Sequence, residues 1–329
     1  MSKFVILSDD FNVKNWGVTK TQRKKVLLVI NPCAGKNSKR VGALDIMNRL
    51  SSADFDFEVR NTRCQGDATT IVKEIGENYD MVICCGGDGT LNEAVNGLMK
   101  FNKRIPIGYI PSGSTNDLAA TLGIPTKIDE AAELILSEKL NSYDVGEFNG
   151  RFFNYVASFG LGVEVSYSTP QAMKNLLGHW AYMINAFVLK LIPMLSHLKP
   201  VHMKVEYDGN ELEDDFYFGS FSNSTSVAGL FKFNQDEVKL NDGCFELLLV
   251  RGLKRKSEAF SMLGKIIRQE YDGERIMLIK AKNVKITCDE EIPWTLDGEF
   301  GGNHKNIELS VNHRGFDIYS DNDRMFIKE

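Results

Sequence analysis

The sequence has no long uninterrupted apolar run, which excludes a simple membrane-spanning helix. Its most apolar stretch, 180–198, is interrupted by Asn185, Lys190 and Pro193, whereas a spanning helix needs about 18 or more consecutive apolar residues. Residues 1–10 also lack the continuous apolar segment of a secretory signal peptide. We therefore expect a cytoplasmic protein without a transmembrane span.

The cysteine and histidine patterns indicate neither a disulfide scaffold nor a zinc site. The six cysteines show no C-x-x-C spacing, which favours reduced thiols in an intracellular protein. His179, His197 and His202 show no metal-ligand arrangement. The net charge of −5 argues against nucleic acid as a partner, because binding to nucleic acid depends on excess basic charge.

The first half of the chain alternates short apolar strands with helical segments. At 329 residues the chain suits two domains, and this alternation predicts a parallel sheet with helices on both faces. Glycine-containing loops follow Ile30, Cys85 and Ile110. Since ligands bind at the carboxyl ends of such strands, we expect these three loops to converge on one site.

The second loop carries the strongest chemical signal. Three glycines surround Asp88 in the segment 85–93, directly after a buried strand and before a helix. Glycines let backbone N–H groups approach anionic oxygens, and a helix N-terminus favours negative charge. A carboxylate inside an anion cradle suits holding a metal, orienting a donor or handling a proton. The segment therefore points to phosphoryl transfer.

From about Tyr143 the pattern changes to many short strands. A turn signal at Asn149-Gly150 predicts a hairpin, and further strands separated by turns predict a β-sandwich or barrel-like domain. We expect an N-terminal extension over 1–21, a nucleotide-binding domain over 22–142, and a β-rich domain over 143–315. A helical insertion at about 170–198 interrupts the last of these, and the tail at about 316–329 is expected to pack back on the first domain.

Five motifs in order resemble the diacylglycerol kinase catalytic domain, which is similar to sphingosine and ceramide kinases. The resemblance implies a Rossmann-like three-layer nucleotide-binding domain followed by a β-sandwich. A lone GGDGT is shared with NAD kinases and phosphofructokinases, so the specificity comes from the whole set. The motifs are N-P-C-A-G-K at 31–36, G-G-D-G-T-L-N-E at 86–93, P-S-G-S-T-N-D at 111–117, L-N-D-G at 240–243 and L-D-G-E at 296–299.

The resemblance implies that ATP is the phosphoryl donor and that Mg²⁺ assists. From the residues alone, the first loop is as consistent with an ordinary strand-to-helix turn, and Lys36 with a surface lysine. The residues that the resemblance assigns to nucleotide binding are Asn31, Pro32, Gly35, Lys36, Thr62, Gly86, Gly87, Asp88, Gly89, Thr90, Asn92, Glu93, Gly113, Ser114 and Asn116.

The resemblance also implies a set of catalytic acids. It assigns the proton from the acceptor hydroxyl to Glu299, with Asp88 and Asp297 organising metal and water and Asp88 as the alternative base. Spacing i, i+2 would point Asp297 and Glu299 the same way if the strand continued, but Asp297-Gly298 could also be a solvated turn. Asp117 is either an N-cap or a member of the same carboxylate network.

A structural magnesium site is implied at the L-N-D-G motif. The Asp242 carboxylate and the backbone carbonyls of Lys239 and Cys244 would hold it, a mixture that suits a hard cation. The alternative is an ordinary turn.

The sequence predicts an ATP-dependent lipid kinase whose first candidate substrate is diacylglycerol at a membrane surface. Apolar residues and lysines in 166–200 could contact lipid, although a helix packed on the β-rich domain explains most of them. The alternatives are a kinase of a sphingoid base or another lipid alcohol, an NAD kinase, and a non-catalytic lipid-binding regulator. A homodimer is possible.

Overall fold

The computed structural model describes residues 23–35, 42–160, 199–227, 231–234, 236–253 and 258–328. Lys36, the expected N-terminal extension and the expected helical insertion at about 170–198 lie outside the described residues. None of the helices in the described ranges is long and apolar enough to cross a membrane.

Four parallel strands form the nucleotide-binding part of the sheet. The strands are β1 (Lys24–Ile30), β2 (Phe55–Asn61), β3 (Met81–Gly86) and β4 (Ile107–Pro111). They lie side by side in the order β2-β1-β3-β4. The apolar runs of β1, β3 and β4 are buried, as expected for strands covered on both faces, whereas the edge strand β2 alternates apolar and polar residues and is partly exposed. Because the strands are parallel, their carboxyl ends share one edge of the sheet.

Helices connect these strands much as the sequence predicts. The last of them was not predicted, although its buried residues at 131, 132, 134 and 135 give it a clear apolar face. The helices are α1 (Ala43–Arg49), α2 (Asp67–Ile75), α3 (Asp88–Leu98), α4 (Asp117–Thr121) and α5 (Ile128–Leu136).

The rest of the chain is mostly antiparallel. Three of its turns carry two successive residues with positive φ, as a type I′ hairpin turn requires: Asn149-Gly150, Asp208-Gly209 and Asp297-Gly298. The strands are β5 (Leu140–Phe148), β6 (Arg151–Phe153), β7 (Val156–Gly160), β8 (Val201–Tyr207), β9 (Asn210–Ser222), β10 (Ser226–Val227), β11 (Phe231–Lys232), β12 (Phe245–Arg251), β13 (Ile276–Ala281), β14 (Asn283–Leu296) and β15 (Glu299–Tyr319), with α6 (Glu258–Arg268) before β13.

Two strands are longer than the sequence predicts. The pattern suggests separate strands at 283–287 and 292–296, and at 306–310 and 316–319, yet each pair is one strand, β14 and β15. Shifts of register within the β14–β15 pairing, between Thr287 and Ile292, break the alternation without ending the strand, because a β-bulge locally offsets the side-chain period.

The longest strand joins the two halves of the molecule. Ile318 of β15 pairs in parallel with Ile107 of β4, while earlier residues of β15 pair with β14 and β5. The described strands therefore form one continuous hydrogen-bonded sheet apart from the β10–β11 pair. The predicted mixed α/β architecture is confirmed, and the domain boundaries stay a prediction.

Candidate active site

One side chain connects the first loop, which follows β1, to α3, the motif helix that begins inside the glycine motif at 86–89. The backbone N–H of Asn31 donates to the Cys85 carbonyl at 2.9 Å, and its side-chain amide donates to the Thr90 hydroxyl at 2.9 Å. Its side-chain oxygen accepts from the Cys33 N–H at 2.9 Å. Asn31 thus fixes the loop after β1 against the start of α3.

Glycines allow the three loops to approach one another. A Cβ on Gly86 would lie 2.5 Å from the Thr90 side chain, and one on Gly113 would lie 2.6 Å from the Gly87 Cα. Gly35 has φ of +82°, and a Cβ there would lie 2.4 Å from the Ser112 carbonyl oxygen. Contacts this short exclude any side chain, so backbone groups face the space between the loops.

Asn116 shapes the third loop from inside. Its buried side chain accepts from the Gly113 N–H at 3.0 Å and donates to the Gly113 carbonyl at 3.1 Å. The residue has φ of +55°, a conformation that asparagine tolerates better than most residues. The geometry therefore gives Asn116 a role in holding the loop.

Glu93 joins the motif helix to α2. Its carboxylate accepts from the Gly66 N–H at 2.7 Å and from the Ala68 N–H at 3.2 Å, which satisfies otherwise unpaired donors at the start of α2. The loop between β2 and α2 is consequently fixed relative to the glycine motif.

The loops surround a cavity of about 370 Å³. It lies at the shared edge of the parallel strands, where the sequence predicts nucleotide binding. Several of the predicted residues are among those that line it; the lining residues are Asn31, Cys33, Ala34, Thr62, Arg63, Cys64, Gln65, Gly87, Gly89, Thr90, Glu93, Gly113 and Glu299.

Other predicted nucleotide-binding residues do not line the cavity. Ser114 is exposed beside it, and Asn92 is directed to Asp297, to which its amide donates at 2.7 Å. Pro32, Gly35, Gly86, Asp88 and Asn116 also lie outside the lining.

Asp88 caps the helix of the third loop. Its carboxylate accepts from the Asp117 N–H at 3.1 Å and from the Leu118 N–H at 3.3 Å. Burial raises the pKa of Asp88, against the effect of these donors. The N-cap residue of α4 is Asn116, so the N-cap interpretation of Asp117 is wrong. Desolvation and the nearby Asp88 carboxylate raise the pKa of Asp117.

Asp297 is fully engaged in hydrogen bonds. It accepts from the amide of Asn92 and from the backbone N–H groups of three successive residues, 154–156, at 2.6–3.0 Å. Burial raises its pKa to about 6. Asp297-Gly298 is a turn with positive φ, so of the two alternatives left open by the sequence the structure shows the turn, although the Asp297 carboxylate is bound inside the protein rather than solvated. Asp297 connects α3 to the start of β7.

Glu299 approaches the glycine motif from the other side of the cavity. A Cβ on Gly89 would lie 2.9 Å from one of its carboxylate oxygens, Oε1. The other, Oε2, accepts from Gln65 at 3.2 Å and lies 3.8 Å from the Arg151 guanidinium. The half-exposed Glu299 carboxylate therefore lies next to Gly89, in the first turn of α3.

Three residues near these acids were missed by the sequence analysis: Gln65, Arg151 and Tyr155. The hydroxyl of Tyr155 would lie 3.9 Å from a Cβ on Gly298. Its pKa is raised by burial and by the carboxylates of Asp297, Asp117, Asp88 and Glu299, in that order. No local pattern marks these residues, because their neighbours come from distant parts of the chain.

Comparison with known proteins shows the family to which the chain belongs. Residues 25–148 match the model of the diacylglycerol kinase catalytic domain. The chain is 33% identical to a diacylglycerol kinase of Bacillus subtilis (strain 168) over 85% of this chain and 91% of the relative. It is also 33% identical to one from Staphylococcus aureus (strain MRSA252), over 92% and 94%. The chain belongs to the diacylglycerol kinase family.

A solved structure in the same family has the same fold. The crystal structure of a diacylglycerol kinase from Bacillus anthracis str. Sterne superposes with a TM-score of 0.67 at 26% identity, covering 92% of this chain and 98% of that one. The diacylglycerol kinase fold therefore extends over both the parallel and the antiparallel parts.

The second expected metal site of this diacylglycerol kinase family member lies at Asp242. Its carboxylate accepts from the Cys244 N–H at 3.0 Å and from the Lys280 ammonium at 2.7 Å. The Lys239 ammonium donates to the carbonyl of Arg324 at 2.8 Å, which leaves only its backbone for a ligand role. A carboxylate suits a hard cation, but both Asp242 oxygens already accept from protein donors, so a Mg²⁺ would have to share Asp242 with the Lys280 ammonium.

Proposed function

We propose that the protein is an ATP-dependent diacylglycerol kinase that produces phosphatidic acid. The observation that carries the proposal is the glycine-lined cavity with Glu299 standing over Gly89. The names of the relatives support the same activity and the same lipid. Glycine backbone at a helix N-terminus suits phosphate oxygens, and a carboxylate beside them suits proton transfer.

The residues divide the work of the reaction. The backbone around Gly87, Gly89 and Gly113 would bind the ATP phosphates. Glu299 would accept the proton as the lipid hydroxyl oxygen forms its bond to the γ-phosphorus and the bond to the ADP oxygen breaks. Asp88 and Asp117 would provide negative charge for Mg²⁺, which neutralises phosphate charge when bound. The Asp297 carboxylate, which already accepts from Asn92 and from the N–H groups of residues 154–156, fixes α3 relative to the start of β7.

The finer structural and cellular features follow as part of the proposal. We infer a Rossmann-like three-layer arrangement around the parallel strands and a β-sandwich in the second half. Asp242 and the carbonyls of Lys239 and Cys244 would hold a structural Mg²⁺. The enzyme would work in the cytoplasm, bound peripherally to the membrane that carries its substrate, and it could act as a homodimer.

The test is a kinase assay with purified protein, labelled ATP and a panel of acceptors, namely lipid alcohols in mixed micelles and NAD in solution. We expect labelled phosphatidic acid, identified by mass, as the main product. A phosphorylated sphingoid base or NADP as the main product would replace the substrate assignment. A protein that binds lipid without transferring phosphate would indicate a regulator and refute the kinase activity.

A further inference from the structure

Two side chains from distant parts of the chain contact the Glu299 carboxylate. Gln65 precedes α2, in the nucleotide-binding half, and its side-chain amide donates to Oε2 at 3.2 Å. Arg151 begins β6, in the antiparallel half, and its guanidinium lies 3.8 Å from the same oxygen, an ion pair rather than a hydrogen bond. Among the described residues, Oε2 therefore has one hydrogen-bond donor, Gln65, and one neighbouring cation, Arg151.

The other carboxylate oxygen remains directed at the glycine motif. Oε1 lies where a Cβ on Gly89 would be only 2.9 Å away. The hydrogen bond from Gln65 and the ion pair with Arg151 on Oε2 restrict rotation of the carboxylate, and Oε1 faces the space above Gly89. Such an orientation matters because a general base must lie within hydrogen-bond reach of the proton that it accepts.

The loop that carries Gln65 is itself fixed to the nucleotide site. The Thr62 N–H donates to the Ile30 carbonyl at 2.9 Å, and the Gly66 N–H donates to Glu93 of the motif helix at 2.7 Å. Residues 62–65 also form part of the cavity wall. The position of the Gln65 amide therefore depends on the same loop that would contact the nucleotide.

We propose that Gln65 is a positioning residue that holds the Glu299 carboxylate over the phosphate-binding glycines and thereby couples the nucleotide loop to the base. The inference rests on the proposed function, in which Glu299 accepts the proton. Arg151 supplies a second, longer contact from the opposite side. In this proposal Gln65 acts through Glu299 and not directly on the reacting atoms.

The test compares Gln65→Leu with Gln65→Lys in steady-state assays with ATP and diacylglycerol micelles. Loss of a hydrogen bond to a charged group is expected to lower the rate constant about tenfold or more. We expect kcat of Gln65→Leu to fall about tenfold, a larger change than any change in the Kd for ATP. Lysine restores a donor of similar reach, so Gln65→Lys should recover most of kcat. Lys73→Leu, on the exposed side of α2, serves as the matched control and should behave as the parent.

A double-mutant cycle separates this inference from the proposed function. In a Glu299→Gln background, Gln65→Leu should lower kcat no further, because the donor has lost its charged partner. An equal fall in both backgrounds, or an unchanged kcat in Gln65→Leu alone, would overturn the positioning role while leaving Glu299 as the base. A parent-like kcat in Glu299→Gln alone would instead refute the base assignment and this inference with it.

Discussion

Replacing Gly113 by alanine tests whether the second and third loops must touch for nucleotide to bind. A Cβ at this position would lie 2.6 Å from the Gly87 Cα and 2.7 Å from the Asn116 side-chain oxygen. Neither neighbour is the end of a flexible side chain in open space, since one is backbone and the other holds the loop through two hydrogen bonds. The loops must therefore move apart.

The size of the effect follows from these distances. To move the new Cβ at position 113 from 2.6 Å to the 3.4 Å of ordinary contact with the Gly87 Cα, the loops must shift by roughly 0.8 Å. A misplacement of about 1 Å can lower the rate on the order of 100-fold, and overpacking lowers the free energy of unfolding by about 1–3 kcal/mol. We expect kcat/KM for ATP to fall about 100-fold in a protein that still folds.

Calorimetric titration with ATP, steady-state kinetics and thermal unfolding together measure the effect. Gly42→Ala is the matched control, because a Cβ there would make only an ordinary contact of 3.4 Å, with the Asp45 carboxylate. Parent-like ATP affinity and kcat/KM in a folded Gly113→Ala variant would refute the close-contact argument. An unfolded variant would be replaced by Gly87→Ala, whose Cβ contact of 3.2 Å is milder.

Three further predictions concern carboxylates. Glu299→Gln should lower kcat by roughly 10²–10⁴ with little change in ATP binding; activity that survives this change but not Asp88→Asn would make Asp88 the base. Burial raises the pKa of Glu246 to about 8, from 4.5 in the unfolded chain. Between these two values only the folded protein keeps the proton, so the contribution of Glu246 to the free energy of unfolding is fully present below 4.5 and is lost as pH rises to about 8. Denaturant titrations should show that Glu246→Gln reduces this loss; an equal loss of the free energy of unfolding in variant and parent would refute it. Asp242→Ala should abolish a Mg²⁺-dependent rise in Tm, and an identical rise in both proteins would exclude a metal role for Asp242.

Much of the fold is readable from local patterns. Continuous apolar runs predict β1, β3 and β4, and the turn dipeptide at 149–150 predicts a hairpin that the structure shows. At Asp297 the spacing leaves two alternatives open, a continued strand with both carboxylates on one face and a solvated Asp-Gly turn. The structure shows a turn with type I′ geometry, but the Asp297 side chain is held by hydrogen bonds that no local pattern encodes.

The sequence alone determined the strand-to-helix order, the glycine loops and the residue types needed for phosphoryl transfer, because these depend on neighbours within a few positions. Only the tertiary structure decided which side chains contact the carboxylates. Asn92 contacts Asp297 across 205 positions, and Gln65 contacts Glu299 across 234. The pairing of Ile318 with Ile107 likewise places the end of β15 beside the parallel strands. Contacts at such separations depend on the closure of the whole sheet, and the periodicity of a single segment carries no information about them.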